Sequence, residues 1–242
     1  MKWAILSDVH GNLEALRSVI SDLRRQGADK IAFLGDAVGY GANPRECLLL
    51  LREIAEFLVA GNHEWGAVGL TDVSYFNNAA KAAVQWTGGE LAEEDHTFLR
   101  SLALVHQSGG ITFVHATPNE PGEWNYIFTY PEAEEAFRSL AEEMAFVGHS
   151  HSPVILAKKR KESATTLRRG AAILEKGTRY IINVGSVGQP RDGDPQAAYG
   201  LYDEGERKFL LKRVPYDIPS AQEKIIRAGL PTSLAHRLAE GA

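Results

Sequence analysis

The chain has 242 residues, 44% hydrophobic and 24% charged, with a formal net charge of −5 and a sequence pI of about 5.9. That balance describes a globular protein able to bury about three quarters of its extended surface, and it excludes a global basic field for nucleic acid or an anionic membrane. A single cysteine, Cys47, excludes a disulfide framework or a thiolate zinc cluster.

The N-terminus enters an apolar strand without a signal-peptide pattern, and no apolar run approaches the roughly 18 residues of a membrane span, so a cytoplasmic protein is expected. One domain over 1–242 is expected, with 220–242 as a C-terminal helical extension. The first apolar run ends in Ser7-Asp8-Val9-His10-Gly11-Asn12, with a carboxylate and an imidazole two residues apart. Asn12 is placed to cap a helix whose Leu13, Leu16, Val19, Ile20 and Leu23 share one face, and Gly27 closes it. The run 31–34 leads to Gly35-Asp36. Asn43-Pro44-Arg45-Glu46 then reads as a capping box with Pro at the first helical position, ahead of a stripe of Cys47, Leu48, Leu51 and Ala55. The run 57–60 leads to Gly61-Asn62-His63-Glu64, so strand and helix alternate as in a parallel sheet.

Residues 66–102 carry two expected helices, 78–86 and 93–102, and no chemical motif; they read as cover. A hairpin over 103–115 turns at Gly109-Gly110 and delivers His115, while His106 on its first arm reads as structural. The loop 117–128 is rich in Pro and Gly. Its Trp124, Tyr126 and Phe128 either stack on a nucleobase or aryl ester or anchor the loop to the core. Thr129 and Glu132 form a capping box for a helix that turns Ala133, Ala136, Phe137 and Leu140 inward, and the run 144–147 leads to Gly148-His149-Ser150-His151.

Beyond His151 come short strands near 153–158, 163–167, 171–175, 179–184, 198–202 and 208–214 with no helices between them, which predicts antiparallel pairing in a second sheet. Lys158-Lys159-Arg160-Lys161, with Arg168 and Arg169, reads as a solvated hairpin rim that discourages edge pairing. The turn from Gly185 to Asp192 follows a buried strand, and its backbone N–H groups and Arg191 suit a phosphate oxygen. Two helices follow from 220, separated by Gly229-Leu230-Pro231 and opened by a capping box at Ser220 and Glu223.

Five strand ends thus deliver Asp8, His10, Asp36, Asn62, His63, His115, His149 and His151 to one place, the crevice where α/β sheets bind ligands. Of eight histidines, only His96, His106 and His236 fall elsewhere, which favours a metal site over scattered structural histidines. Carboxylate, imidazole and amide donors without thiolate suit manganese, iron, cobalt, nickel or zinc better than calcium or magnesium. The ordered series SDVHGN, GDAVGYG, GNHE, a lone His and GHSH, spanning residues 7–151, resembles the calcineurin-like metallophosphoesterase superfamily. The 185–192 turn is similar to that of a small prokaryotic branch. The resemblance implies an α/β fold, an αββα sandwich of two mixed β-sheets flanked by helices, with a two-metal phosphoesterase site at the sheet edge. Motif by motif, it implies that Asp8, His10 and His151 bind one divalent transition-metal ion and Asn62, His115 and His149 the other. Asp36 would bridge them, supporting attack on phosphorus by metal-activated hydroxide. It makes His63 a proton donor to the leaving alkoxide or a holder of a phosphate oxygen, with Asn62 and Arg191 facing substrate.

Ser/Thr protein phosphatases of this superfamily carry an Asp-Arg pair after the GD motif, and here the stretch reads Gly35-Asp36-Ala37-Val38-Gly39-Tyr40-Gly41. The missing Arg disfavours a protein phosphatase, and the missing Asp leaves the orienting partner of His63 unassigned. The expected substrate is a small or nucleotide-type phosphodiester. Phosphomonoesters and dinucleoside polyphosphates are the enzymatic alternatives. A non-catalytic scaffold of the same fold, as in one retromer subunit, is disfavoured because no ligand is missing.

Overall fold

A computed structural model describes residues 1–167 and 170–242; Arg168 and Arg169 of the basic hairpin lie outside them. The chain runs β1 (Lys2–Leu6), α1 (Leu13–Arg25), β2 (Lys30–Phe33), α2 (Pro44–Ile54), β3 (Phe57–Leu58), α3 (Asn62–Ala67), α4 (Asn78–Glu90), α5 (Glu93–Ser101), β4 (Val105–Ser108), β5 (Ile111–Val114), α6 (Tyr130–Ser139) and β6 (Met144–Val147). It continues β7 (Val154–Lys159), β8 (Thr165–Leu167), β9 (Ala171–Ile173), β10 (Thr178–Asn183), β11 (Ala197–Asp203), β12 (Lys208–Val214), α7 (Ile218–Arg227) and α8 (Thr232–Glu240).

Strand alternation sorts the side chains into layers. Trp3 and Ile5 of β1 turn inward to meet Phe113, Phe146, Ile182 and Phe209 between two sheets. Ala4 and Leu6 turn outward onto Leu16, Val19 and Leu23 of α1, beside Cys47, Leu48 and Leu51 of α2. On the far side, Ala145, Val147 and Ile181 lie under Ala136 and Phe137 of α6. Helix, sheet, sheet, helix is therefore the layer order, with the core split between the sheets and under each helical layer.

The sheets have orders β3-β2-β1-β11-β12-β9 and β4-β5-β6-β10-β7-β8. Each contains one parallel triplet, β1 with β2 and β3 in the first and β5, β6 and β10 in the second. The strands after His151 do not form a sheet of their own, contrary to the meander pattern. β7, β8 and β10 complete the second sheet, while β9, β11 and β12 extend the first. The cause is burial on both faces: Tyr180, Ile181 and Ile182 of β10 and Ala197 through Tyr202 of β11 are all buried, and such strands need neighbours and cover on both sides.

Local expectations hold with three adjustments. The Asn12 side chain accepts from the Ala15 N–H at 3.1 Å, and Glu132 Oε2 accepts from the Thr129 N–H at 2.8 Å, the Glu132 half of the expected box. Asn43, however, donates to Glu46 Oε1 at 2.9 Å and leaves the helix backbone uncapped. The helix expected from Ser220 starts at Ile218, because Asp217 supplies a carboxylate cap that accepts from the Ser220 N–H, with Pro219 in the first turn. β3 keeps two residues of the run 57–60, since the Ala60 N–H leaves β2 to donate to Ala103 O. Cys47 is buried in the core, and His106 stacks on Phe57 with ring centroids 3.7 Å apart. Lys158 pairs with Glu134 and Lys159 with Glu175, consistent with a neutralised hairpin rim. No described helix is long and apolar enough to cross a membrane.

Candidate metal centre

Both parallel triplets point their carboxyl ends at one region. β1 leads to Asp8 and His10, β2 to Asp36, and β3 to Asn62 and His63 in the first turn of α3; β5 leads to His115, and β6 to His149 and His151. All eight residues predicted to converge there do so, and all are buried. The turns that aim them are costly, because Asp8, His10, Asp36, His149 and His151 each adopt positive φ between 49° and 65°. Left-handed backbone at non-glycine residues concentrates at functional sites. Gly148 is required by close approach: a Cβ there would lie 2.0 Å from Ser7 Oγ and 2.5 Å from Asp8 Oδ2.

Hydrogen bonds at the outer edge decide which atoms face the centre. His10, His115 and His151 place Nδ1 against the carbonyls of Val38, Leu34 and Gln189 at 3.0, 2.8 and 2.6 Å. A carbonyl only accepts, so Nδ1 carries the proton in each ring and Nε2 faces inward. His149 is reversed: its Nε2 donates to Trp124 O at 2.8 Å, which leaves Nδ1 for the centre. The carboxylates divide their oxygens in the same way. Asp8 Oδ2 accepts from the His149 N–H at 3.1 Å and Asp36 Oδ1 from the His63 N–H at 2.9 Å. Asp8 Oδ1 then lies 3.2 Å from His151 Nε2, and Asp36 Oδ2 lies 3.3 Å from His115 Nε2 and 3.7 Å from His10 Nε2.

This arrangement gathers acceptors with too few donors. His10 Nε2 and His151 Nε2 face each other at 3.0 Å although each ring has committed its proton elsewhere. Asp8 Oδ1, Asn62 Oδ1 and His115 Nε2 are buried without partners. Converging lone pairs and anionic oxygens call for cations. Two such groups, Asp8 with His10 and His151, and Asp36 with His115 and His149, each have ligand atoms within 4.8 Å, and Asp36 also shares a third group with His10 and His63. The donor set fits a dinuclear divalent metal site with Asp36 between its halves.

The buried groups also shift one another. Burial alone would raise the pKa of both aspartates, yet Asp8 is held low chiefly by His151, and Asp36 well below the carboxylate range chiefly by His115. Burial would lower His115, and the Asp36 carboxylate instead lifts it to about 9. His63 and His149 go the other way, to about 4 and about 3, because burial dominates for each.

One residue at the centre was not expected from sequence. Glu64 Oε2 accepts from the N–H groups of Asp36 and Gly61, both at 2.7 Å, and Oε1 from those of Ala37 at 2.7 Å and Val38 at 3.3 Å. It ties the Asp36 turn to the Asn62 turn. Burial, then the nearby Asp36 charge, pushes its carboxyl up to about 7. Its place beside Asn62 and His63 was the only signal in the sequence.

A cleft of about 740 Å³ opens from the centre, lined by His63, Asn62, His151 and Arg191 at its floor. Arg191 is held by Gln189 Oε1, which accepts from Nε at 3.2 Å and Nη2 at 2.7 Å. The aromatic loop is anchored to the body of the protein, one of the two readings the sequence left open. Tyr126 stacks on His149 at 4.1 Å, Phe128 stacks on Tyr126 at 4.9 Å, and the Trp124 ring meets Trp65 edge to face at 5.2 Å. Trp124 and Tyr126 also line the cleft, as do Tyr75 and Phe76.

A model of the calcineurin-like phosphoesterase superfamily domain matches residues 1–206. The chain is 41% identical over 239 residues to an uncharacterised protein of Methanocaldococcus jannaschii, covering 97% of this chain and 96% of the relative. It is similar to the crystal structure of a metallophosphoesterase from Sphaerobacter thermophilus, with 40% identity, a TM-score of 0.87 and coverage of 100% and 99% of the two chains. A hypothetical protein from Pyrococcus horikoshii OT3 shares the fold at 21% identity, with a TM-score of 0.77 and coverage of 100% and 98%.

Proposed function

The chain belongs to the calcineurin-like phosphoesterase superfamily, and from that premise we propose that this metal-dependent phosphoric ester hydrolase cleaves small phosphodiesters bearing a ring, of nucleotide or aryl type. Two divalent transition-metal ions would supply Lewis acidity and an activated water for attack on phosphorus. In this reading Asp8, His10 and His151 hold one ion, Asn62, His115 and His149 the other, and Asp36 reaches both. Arg191 gives its Nε–H and one Nη2–H to Gln189, which leaves both Nη1 N–H groups and the second Nη2 N–H for phosphate oxygens. His63 Nδ1 is buried against the backbone, so Nε2 is the nitrogen that donates a proton to the leaving oxygen.

The observation that carries the choice of a diester is the charge of the cleft. Beyond the centre its described lining offers one cation, Arg191, against the carboxylates of Asp72 and Glu123, together with Tyr75, Phe76, Trp124 and Tyr126. A monoanionic diester with a neutral ring matches that lining. Each further phosphate of a dinucleoside polyphosphate would lack a cation and face carboxylates, and a monoester would leave the aromatic lining without a second ester group to meet it.

The test is a set of kcat/KM values for the metal-loaded protein on a dinucleotide diester, the corresponding monoester, a dinucleoside tetraphosphate and a phosphopeptide. The diester should lead. A lead for the tetraphosphate or the phosphopeptide would overturn the proposal. His63→Ala should retain metal and lose roughly 10²–10⁴-fold in kcat on the nucleotide diester, the range for general acid catalysis. The loss should shrink on a nitrophenyl ester, whose leaving group needs little proton assistance.

A further inference from the structure

His63 lacks the side-chain partner that a proton-donating histidine ordinarily uses for orientation. Its main-chain N–H is held by Asp36 Oδ1, but its ring nitrogen Nδ1 is buried with no hydrogen bond. The ring is confined by packing alone. Tyr40 lies tilted against it with centroids 4.5 Å apart, Phe76 lies at 5.3 Å, and the edge of His10 is at 4.7 Å. Gly39 completes the enclosure. Its φ is +84°, and a Cβ at this position would come within 2.1 Å of His63 Nδ1, so the ring rests directly on the glycine backbone.

We propose that Gly39, Tyr40 and Phe76 are positioning residues that clamp the His63 imidazole at the angle its proton donation requires. The inference rests on His63 acting as donor, as above. An imidazole without a hydrogen bond has a broad, two-fold χ2 preference, and only contacts on its faces and edge narrow it. Displacement of a catalytic group by 1 Å costs up to about 10²-fold in rate, so a ring held by packing makes the packing part of the catalyst.

The clamp gives work to two regions that the motifs pass over. Tyr40 is itself held in the left-handed region at φ 58° and is backed by Ala221 and Ile225 of α7 and Leu234 and Leu238 of α8. Those helices lie beyond the residues matched by the family model. Phe76 comes from the segment between α3 and α4 that reads as cover in the sequence. Tyr40 also touches His10 and carries the Arg191 guanidinium 5.6 Å from its ring centre, so metal content and KM must be followed alongside turnover.

The experiment uses the full chain reconstituted with Mn²⁺, with kcat and KM measured on a dinucleotide diester and on bis(nitrophenyl) phosphate. Tyr40→Leu should keep its metal and lose about 10–10²-fold in kcat on the dinucleotide, the cost of misplacing a catalytic group. It should lose far less on the nitrophenyl ester, and Tyr40→Phe should recover most of the loss. In a His63→Ala background, Tyr40→Leu should cost nothing further, because its effect runs through the imidazole. Should Tyr40→Leu fail to fold, Phe76→Leu carries the same cycle from a half-buried position. Equal losses on both leaving groups, or an undiminished loss in the His63→Ala background, would overturn the clamp. So would wild-type turnover on the dinucleotide in a folded Tyr40→Leu protein whose His63→Ala counterpart is impaired. If His63→Ala itself turns over the dinucleotide at the wild-type rate, the donor assignment falls first, and the two failures are told apart.

Discussion

Replacing Glu64 with Gln tests whether the centre is held together by a buried carboxylate rather than by its ligands alone. Glu64 is 1% exposed, and its two oxygens take four backbone N–H groups from the turns that carry Asp36 and Asn62. Gln keeps the shape but turns one oxygen into an NH₂ group facing two donors. Two charge-assisted bonds are lost at about 1.5–3 kcal/mol each. The loss is partly offset because a neutral amide escapes the burial and the Asp36 repulsion that raise the Glu64 carboxyl to about 7. A net cost of about 2–4 kcal/mol corresponds to a fall in Tm of about 4–16 °C for a chain of this length. The assay is thermal unfolding of chelated protein, so that metal does not mask the effect, followed by calorimetric titration with Mn²⁺. Metal affinity should fall as well, because the Asp36 and Ala37 N–H groups are what fix the turn at Asp36. A Glu64→Gln protein with Tm and Mn²⁺ affinity equal to wild type would refute the account.

Exhaustive chelation should abolish phosphoesterase activity and added Mn²⁺, Co²⁺ or Ni²⁺ should restore it; full activity after confirmed metal removal would sink the two-metal reading. Asp36→Asn should lower occupancy of both metals together, since its Oδ2 faces His10 and His115, whereas Asp8→Asn should affect one more than the other, as metal analysis of the purified variants would show. Away from the site, the pKa of Asp22 lies below its ordinary value. Burial works to raise it but is outweighed by the Tyr199 hydroxyl donating at 2.7 Å, then by Gln26, Lys212 and Arg25. A depressed carboxylate contributes stability above its unfolded pKa of about 3.9 and loses it as pH falls through the folded value. Tyr199→Phe should therefore lower the unfolding free energy by about 1.5–3 kcal/mol at pH 7 and by less at pH 3. Urea titrations with equal differences at the two pH values would count against it.

The metal centre was legible because the fold gives each ligand the same local address. Asp8, Asp36, His115 and His149 all lie within two residues of the end of a short apolar run, so strand ends could be found one by one and the parallel topology did the rest. Groups whose partners are distant left no such trace. Glu64 binds N–H groups up to 28 residues away in sequence, and nothing in GNHE distinguishes a carboxylate that holds backbone from one that faces solvent. The division of the C-terminal strands between two sheets follows from which strands are buried on both faces, a property of the assembled sandwich. Tyr40 and Phe76 meet at His63 with helices at the C-terminus packed behind Tyr40, so their relation belongs to tertiary packing. The left-handed turns show the same divide from the other side. Five of the eight converging residues sit where an L-residue is disfavoured, and such turns persist only where the surrounding structure over-determines them. Strain of this kind is invisible in composition or periodicity. Close approach adds its own demand, since a Cβ at Gly148 would meet Ser7 and Asp8, and Asp8 and Asp36 come from separate strands to within 4.0 and 3.3 Å of the same imidazole, His115.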